Sequence, residues 1–150
     1  MKNAKVTEVE VRKFIAEWFV KLDEHAPVKA MLPLLLDGEL VMRFPEGTVT
    51  GHAGFTRWYE ACLNQYFDEK HILHASSIVP NGNSAEVKLV VQWQHREWQS
   101  GAARTTFHDH FAAQTWRLRR LPATHKLGIV EYNVDYYLTA IASAKSETPP

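Results

Sequence analysis

Two histidines lie two residues apart in the stretch TTFHDHFAAQTWRL, residues 105–118. On a β-strand, His108 and His110 would point to the same face, with their Cβ atoms about 7 Å apart. That separation suits metal chelation if His95 or His71 supplies a third nitrogen from a neighbouring strand. No third ligand has a defined spacing, however, and we therefore expect no metal and no cofactor.

Proton transfer requires only one suitably placed histidine, whereas metal binding requires several. The ordinary pKa of an imidazole is about 6.5, so one neutral histidine in an apolar pocket can exchange a proton with a carbon acid or a leaving hydroxyl group. A second histidine, or Tyr132, could donate a hydrogen bond to the oxyanion that develops. The alternative is that the histidines only satisfy one another as a buried polar patch. The predicted catalytic residues are His71, His95, His108 and His110.

The chain is rich in aromatic side chains, with five tryptophans, five tyrosines and seven phenylalanines. Flat aromatic groups form apolar walls for ring-shaped ligands, and a few polar groups orient such a ligand. We therefore expect a pocket for a small apolar or ring-shaped molecule. The predicted ligand-binding residues are Trp18, Trp58, Trp93, Gln114, Trp116 and Tyr132.

Length and charge restrict the class of protein. The 150 residues fit a single domain, residues 1–150, that can bury a substantial core. The 17 basic and 17 acidic side chains balance, so we expect neither a nucleic-acid nor a membrane partner. No apolar stretch is long enough to span a bilayer or to form a signal peptide. Cys62 is the only cysteine and can form no disulfide within the chain, which indicates a cytoplasmic protein.

The predicted order of elements is helix, helix, strand, helix and then four long strands. Thr7 can cap the first helix, with Glu10 as its capping-box partner. Turn segments such as PNGNS and QSGAA separate the long strands, which should therefore pair antiparallel. The small, polar tail at 140–150 is predicted to be flexible, and residues 7–139 to be ordered. The helices are expected from Thr7 to Leu22, at 28–35 and at 55–67, and the strands at 39–44, 69–79, 84–98, 103–120 and 126–138.

Alternation along the strands predicts which side chains face inward. The strand around 104–120 is apolar on both faces, as a strand covered by helices on one side and by a second subunit on the other would be. Phe107 and Phe111 are predicted to lie on that outer, dimeric face. A single bulge would exchange the two faces upstream of it. The residues predicted to face inward are Trp93, His95, His108, His110, Gln114 and Trp116.

The segment MRFPEGTVTGHAGFTRWYE, followed by HILHASSIV, NGNSAEVKLVVQW and QTWRL, resembles the nuclear-transport-factor-2-like superfamily, also called SnoaL-like. The resemblance runs from about Thr7 to Thr139. It implies an α+β fold, a cone-shaped barrel of a strongly curved antiparallel or mixed sheet with about three helices over its concave face. It also implies a pocket between sheet and helices, with His71 facing inward, and a homodimer joined through the outer sheet faces.

Members of this superfamily include isomerases, dehydratases, polyketide cyclases, epoxide hydrolases and non-catalytic binding proteins. The fold therefore does not determine which reaction, if any, a member catalyses. The resemblance implies enzymes that mostly use one or two buried Asp, His or Tyr residues without a cofactor. No catalytic motif transfers residue by residue. The chain is therefore expected to bind a small molecule, and to act on it as an isomerase, dehydratase or cyclase by histidine acid/base chemistry. The alternative is a non-catalytic ligand-binding or protein-interaction domain.

Overall fold

The first helix is built as its sequence predicts. The computed structural model describes residues 5–139, with side chains described to residue 135, so the predicted flexible tail lies outside the described residues. Helix α1 spans Glu8–Asp23, and the hydroxyl of Thr7 accepts the backbone N–H of Glu10 at 3.2 Å. The carboxylate of Glu10 accepts a hydrogen bond from Arg120 at 2.8 Å, and both Arg120 and the backbone N–H of Thr7 lower its pKa. The buried face of α1 consists of Val11, Phe14, Ile15, Trp18, Phe19 and Leu22.

The second and third helices differ from their predicted bounds for local reasons. Helix α2 spans Val28–Met31 and tightens into a 3-10 helix over Leu32–Leu34, because Pro33 has no N–H to continue an α-helix. Helix α3 spans Gly51–Gln65 and begins four residues before the predicted start at residue 55. A side-chain oxygen of Asp37 accepts the backbone N–H of His52 at 3.0 Å, and this contact from a distant loop caps the earlier turn.

Six strands form one mixed, curled sheet in the order β2-β1-β6-β5-β4-β3. Strand β1 runs parallel to β6, and the other neighbours are antiparallel. The fold is α+β, as predicted, but the sheet is not a closed barrel, since β2 and β3 are its edges. The strands are β1 Val41–Phe44, β2 Gly47–Thr50, β3 Tyr66–Asn81, β4 Ser84–Glu97, β5 Thr106–Arg120 and β6 Leu127–Thr139.

The pairing of β4 with β5 has no irregularity, and the predicted inner face of both strands is correct. Trp93 lies opposite His110, and His95 lies opposite His108. The concave face of this pair packs against α1 and the core. None of the helices within residues 5–139 combines the length and the hydropathy that a bilayer crossing requires.

Bulges lie in the strands on either side of this pair. In β3 the register slips between Phe67 and Lys70, and again between Leu73 and Ala75. In β6 it slips so that Leu118 pairs with Ile129 while Arg117 pairs with Glu131, which leaves Val130 without an opposite residue. Counting by twos from Tyr132 would place Val130 on the inner face, and this bulge breaks that count. The sheet thus combines one regular strand pair with two irregular neighbours.

Candidate functional site

A cavity of about 90 Å³ lies between the concave face of the sheet and the helices α1 and α3. Its walls are mostly aromatic and aliphatic, and the stacked pair Phe44 and Trp58, with ring centroids 4.7 Å apart, forms one flat side. This shape and lining suit one small ring-shaped molecule. Five residues that the sequence predicts for the site line this cavity: Trp58, His71, Trp93, Gln114 and Tyr132.

One histidine of the cavity wall, His71, is paired with Asp23, which is not itself a lining residue of the cavity. Nδ1 of His71 lies 2.6 Å from Oδ1 of Asp23, and the backbone N–H of His71 donates to Oδ2 of the same carboxylate at 3.1 Å. The His71 side chain is only 9% exposed and stacks between Phe19 and Trp93. Because an ionised carboxylate can only accept, Nδ1 is the nitrogen that donates, and in the neutral imidazole Nε2 is therefore the nitrogen with the lone pair. The pair therefore holds one imidazole in one tautomer and one orientation.

A second carboxylate lies beside this pair. Glu69 lines the cavity and accepts the indole N–H of Trp93 at 3.0 Å, and its other oxygen lies 2.7 Å from Nε2 of His25. Residues 68 and 69 both lie opposite His95 because of the first bulge in β3, where Asp68 has a φ of 52°. The bulge lets Glu69 and Tyr66 both reach the cavity, although strict alternation would turn Tyr66 away from it.

Two predicted ligand-binding tryptophans lie in the core, behind the cavity wall. Trp18 and Trp116 are fully buried and do not line the cavity. The indole N–H of Trp116 donates to Oε1 of Gln114 at 2.9 Å, which leaves the Gln114 amide nitrogen as its donor. The indole N–H of Trp18 donates to the Tyr132 hydroxyl at 3.4 Å. Both tryptophans thus orient the polar groups of the wall.

The other three predicted catalytic histidines form a separate group, the histidine cluster, defined as His95, His108 and His110. Each offers a ring nitrogen, and the three nitrogens lie within 4.8 Å of one another. The ring centroids lie 5.0–5.9 Å apart, and the rings are nearly parallel. Nε2 of His95 lies 2.9 Å from Oε2 of Glu97, and the same oxygen is 3.9 Å from Nε2 of His108. None of the three histidines lines the cavity.

Burial controls the charges of the histidine cluster. It lowers the pKa of His95, and the hydrogen bond to Glu97 opposes only part of that effect. It also lowers the pKa of His110, which the nearby His108 lowers further. Burial alone would raise the pKa of Glu97, but the hydrogen bonds from His95 and Gln65 lower it overall. At neutral pH the buried imidazoles are therefore neutral and the carboxylate is charged.

Trp93 separates the two regions. Its ring stacks on His95 at 4.0 Å between centroids and faces His71 at 6.1 Å. The four predicted catalytic histidines therefore do not converge on one cavity: His71 lines it, and the histidine cluster lies behind Trp93 toward the end of β4 and the start of β5. The assignment of catalytic roles to them stays a prediction.

Sequence reasoning missed Asp23, Glu69 and Glu97. Asp23 is the last residue of α1, and nothing in its neighbours indicates that it binds a histidine 48 residues away. Glu97 follows His95 by two residues, which places both on one face of a strand and is a signal that could have been used.

The thiol of Cys62 also lies in the cavity wall. Its pKa is raised to about 12, first by burial and then by the charge of Glu69.

The outer face of β5 carries exposed apolar groups. Phe107 is 48% exposed, and Val90 on the neighbouring strand is also exposed. Phe111 is half-buried beside the ring of His74, with centroids 5.1 Å apart. Asp109 is buried between the two phenylalanines and accepts the side-chain amide of Gln92 at 2.9 Å. The outward orientation predicted for Phe107 and Phe111 is consistent with this arrangement.

Comparison with known proteins locates the fold. No model of a known protein family matches the chain, and no curated protein does either. Among solved structures, a nuclear-transport-factor-2-like superfamily protein from Salmonella enterica serovar Typhimurium is 15% identical, with 94% of this chain and 96% of that chain covered and a TM-score of 0.72. A candidate scytalone dehydratase from Novosphingobium aromaticivorans is 12% identical, with coverages of 87% and 85% and a TM-score of 0.68.

A third similar structure is a candidate dehydratase of the same family from Streptomyces avermitilis. It is 12% identical, the alignment covers 83% of this chain and 92% of that chain, and the TM-score is 0.70. The chain therefore has the nuclear-transport-factor-2-like α+β cone fold, as the sequence resemblance implied. At these identities the likeness concerns the fold alone, and the chemistry must be argued from the residues of the site.

Proposed function

We propose that the cavity is the active site of a cofactor-independent enzyme that moves a proton on a small ring-shaped carbonyl compound. The observation that carries this proposal is that His71, in the wall of an aromatic cavity, makes a 2.6 Å contact with the Asp23 carboxylate. A histidine held in one tautomer by a carboxylate is the usual arrangement for a general base. Isomerisation, dehydration and cyclisation of a carbonyl compound can each begin with such a proton transfer.

Dehydration illustrates the role that each residue would have in the reaction. Nε2 of His71 takes a proton from the carbon next to the carbonyl, and Asp23 stabilises the imidazolium that forms. The enolate oxygen accepts hydrogen bonds from the Gln114 amide and the Tyr132 hydroxyl, which lie in the same wall. The enolate then expels a hydroxyl group from the adjacent carbon, and this group leaves as water with the proton from His71. The histidine returns to its neutral form.

The comparisons agree with this class of reaction without assigning it. Two of the similar structures are named as candidate dehydratases, and both share the fold with this chain. The aromatic walls of Trp58 and Trp93 favour a planar substrate, because flat rings stack offset or edge to face. Binding without turnover is the alternative, and the apolar lining by itself would support it equally well.

Proton exchange in heavy water tests the proposal. A panel of cyclic ketones and β-hydroxy ketones is incubated with the protein in D₂O, and deuterium at the carbon next to the carbonyl is measured by NMR, together with loss of water. We expect His71→Gln to lose at least about 100-fold in exchange rate, since general base catalysis contributes 10²- to 10⁴-fold. His74→Gln, at an exposed histidine on the same strand, is the matched control and should exchange like the wild type.

Equal exchange rates for wild type and His71→Gln would overturn the proposal, and so would exchange no faster than in buffer across the panel. Ligand-induced changes in tryptophan fluorescence with no exchange would favour the non-catalytic binding protein. His71→Gln must keep the wild-type circular dichroism for the comparison to hold.

We also propose a homodimer joined through the outer sheet face, and a cytoplasmic location. The exposure of Phe107 and Val90 on that face supports the dimer, because a second subunit would bury both. The single cysteine suits a reducing compartment. Sedimentation of wild type and Phe107→Asp checks the interface, and a wild-type monomer at micromolar concentration would contradict it.

A further inference from the structure

We propose that the histidine cluster binds a divalent transition-metal ion, with Zn²⁺ as the best match. This inference does not rest on the proposed function of the cavity, and it departs from the absence of metal expected from sequence. Its first basis is the backbone. His95 and His108 are directly opposed across β4 and β5, and His110 follows on the same face. The regular register fixes the three side chains on one surface.

The second basis is an unsatisfied nitrogen. His95 is 1% exposed, and its Nε2 is held by Glu97, so Nδ1 is the ring nitrogen with a lone pair. That Nδ1 atom is buried and has no hydrogen-bond partner within the described residues. A buried acceptor without a donor is unfavourable, and a bound cation would satisfy it. Carboxylate, histidine and metal in a row is the arrangement that orients a metal-binding imidazole.

The third basis is the donor set with its access to solvent. Three neutral imidazole nitrogens are a common catalytic zinc set that leaves a fourth position for water or a substrate oxygen. His108 is 34% exposed, so an ion can enter from the end of the strand pair. Glu97 supplies the negative charge that offsets part of the charge of the ion. Imidazole donors without a thiolate select ions such as Zn²⁺, Co²⁺, Ni²⁺ and Cu²⁺ over Mg²⁺ or Ca²⁺.

Metal binding must also turn the rings. In a tetrahedral zinc site with bonds of 2.0–2.1 Å, the ligand nitrogens lie about 3.3 Å apart, which is closer than the 4.8 Å spread of this cluster. The rings lie within 10–24° of parallel, whereas a bound ion lies in the plane of each imidazole. The required rotation is about χ2, a soft torsion for histidine. Binding should therefore shift the NMR signals of these rings while the strands stay in register.

Cobalt substitution gives the test a direct readout. Protein without an affinity tag is stripped with a chelator, dialysed and titrated with Co²⁺, and the visible ligand-field bands are followed before displacement by Zn²⁺. We expect one ion per chain with the intense bands of a four-coordinate site. His108→Ala should lose more than about 100-fold in affinity, above the 10- to 100-fold typical of an outer-shell partner. His74→Ala is the matched control, because His74 is exposed and lies outside the cluster.

Three results would overturn the proposal. These are the absence of ligand-field bands in the stripped wild type, a weak octahedral spectrum, and equal affinities for wild type and His108→Ala. His110→Ala provides a second ligand variant in case His108→Ala fails to fold. The proton-exchange assay is run on the chelator-stripped protein, so failure of the metal site and failure of the cavity chemistry give separate results.

Discussion

The cavity and the histidine cluster both contain a histidine held by a carboxylate, but the two pairs are built differently. His71 and Asp23 are 48 residues apart and come together because α1 packs against β3. His95 and Glu97 lie two residues apart on one strand. In the first pair, His71 stacks between the rings of Phe19 and Trp93, which suits proton transfer to a bound ring. The His95–Glu97 pair has the imidazoles of His108 and His110 beside it, and three imidazoles together can bind a metal ion. Similar pairs thus acquire different chemistry from their neighbours.

Trp93 belongs to both regions, and its removal has the largest expected effect. Its ring separates His71 from His95, and its N–H binds Glu69. We expect Trp93→Ala to lower the free energy of unfolding by about 3 kcal/mol, because burial and packing of a large aromatic ring are lost. Both proton exchange and cobalt affinity should fall as well. Urea denaturation gives the stability change. Trp93→Phe, which keeps a ring but removes the N–H, should lose much less stability.

If Trp93→Ala lowered only the proton-exchange rate or only the cobalt affinity, Trp93 would not be a wall shared by the cavity and the histidine cluster. A residue other than Trp93 would then have to separate the cavity from the histidine cluster. Unchanged stability would contradict the packing described here.

Crossed substitutions of the two carboxylates should separate the regions. Asp23→Asn removes the charge that supports the His71 imidazolium, and we expect about a 100-fold loss of exchange with unchanged cobalt affinity. Glu97→Gln should give the reverse, about a 10- to 100-fold loss of cobalt affinity with unchanged exchange. Both replacements keep the size of the side chain. Measuring both activities on both variants makes each one the control of the other.

The reactivity of Cys62 reports on the cavity alone, and its measurement leaves both regions intact. Burial, together with the charge of Glu69, raises the pKa of this thiol to about 12, so the reactive thiolate is scarce at neutral pH. Alkylation by iodoacetamide should rise about tenfold per pH unit from pH 7 to 10 and not level off near 9, the range of an ordinary cysteine. Mass spectrometry measures the rate, and the chain has no other cysteine to interfere.

Occupancy should then distinguish the two regions. A small ring-shaped ligand in the cavity is expected to slow alkylation of Cys62, whereas Zn²⁺ should leave the rate unchanged. A plateau in the rate near pH 9 would show that the thiol ionises normally and that this wall is open to water. Protection by Zn²⁺ would contradict the separation by Trp93.

The regular strand pair shows how much local pattern predicts. Alternation alone predicted that Trp93, His95, His108 and His110 face inward, and the unbroken register of β4 with β5 confirms it. The apolar stripe and the Thr7 cap likewise predicted α1. These features depend on residues close in sequence, whose backbone periods of 2.0 and 3.6 fix the facing side chains.

Local pattern could not predict which inward residues share a space. Helical and strand periodicity predict a face but not a depth, so Trp18 on α1 and Trp116 on β5 were expected in the pocket and lie behind its wall. The first bulge of β3, which lets Tyr66 and Glu69 both reach the cavity, breaks the alternation expected of a regular strand.

The sequence by itself determined the α+β order of elements, the face on which each histidine of β4 and β5 lies, and the aromatic character of the interior. Only the tertiary structure decided that Asp23 holds His71, that Trp93 divides the histidines, and that the sheet stays open. The physical reason is the range of the interactions. Periodicity acts over a few residues, whereas the docking of α1 on the sheet joins side chains about 50 residues apart.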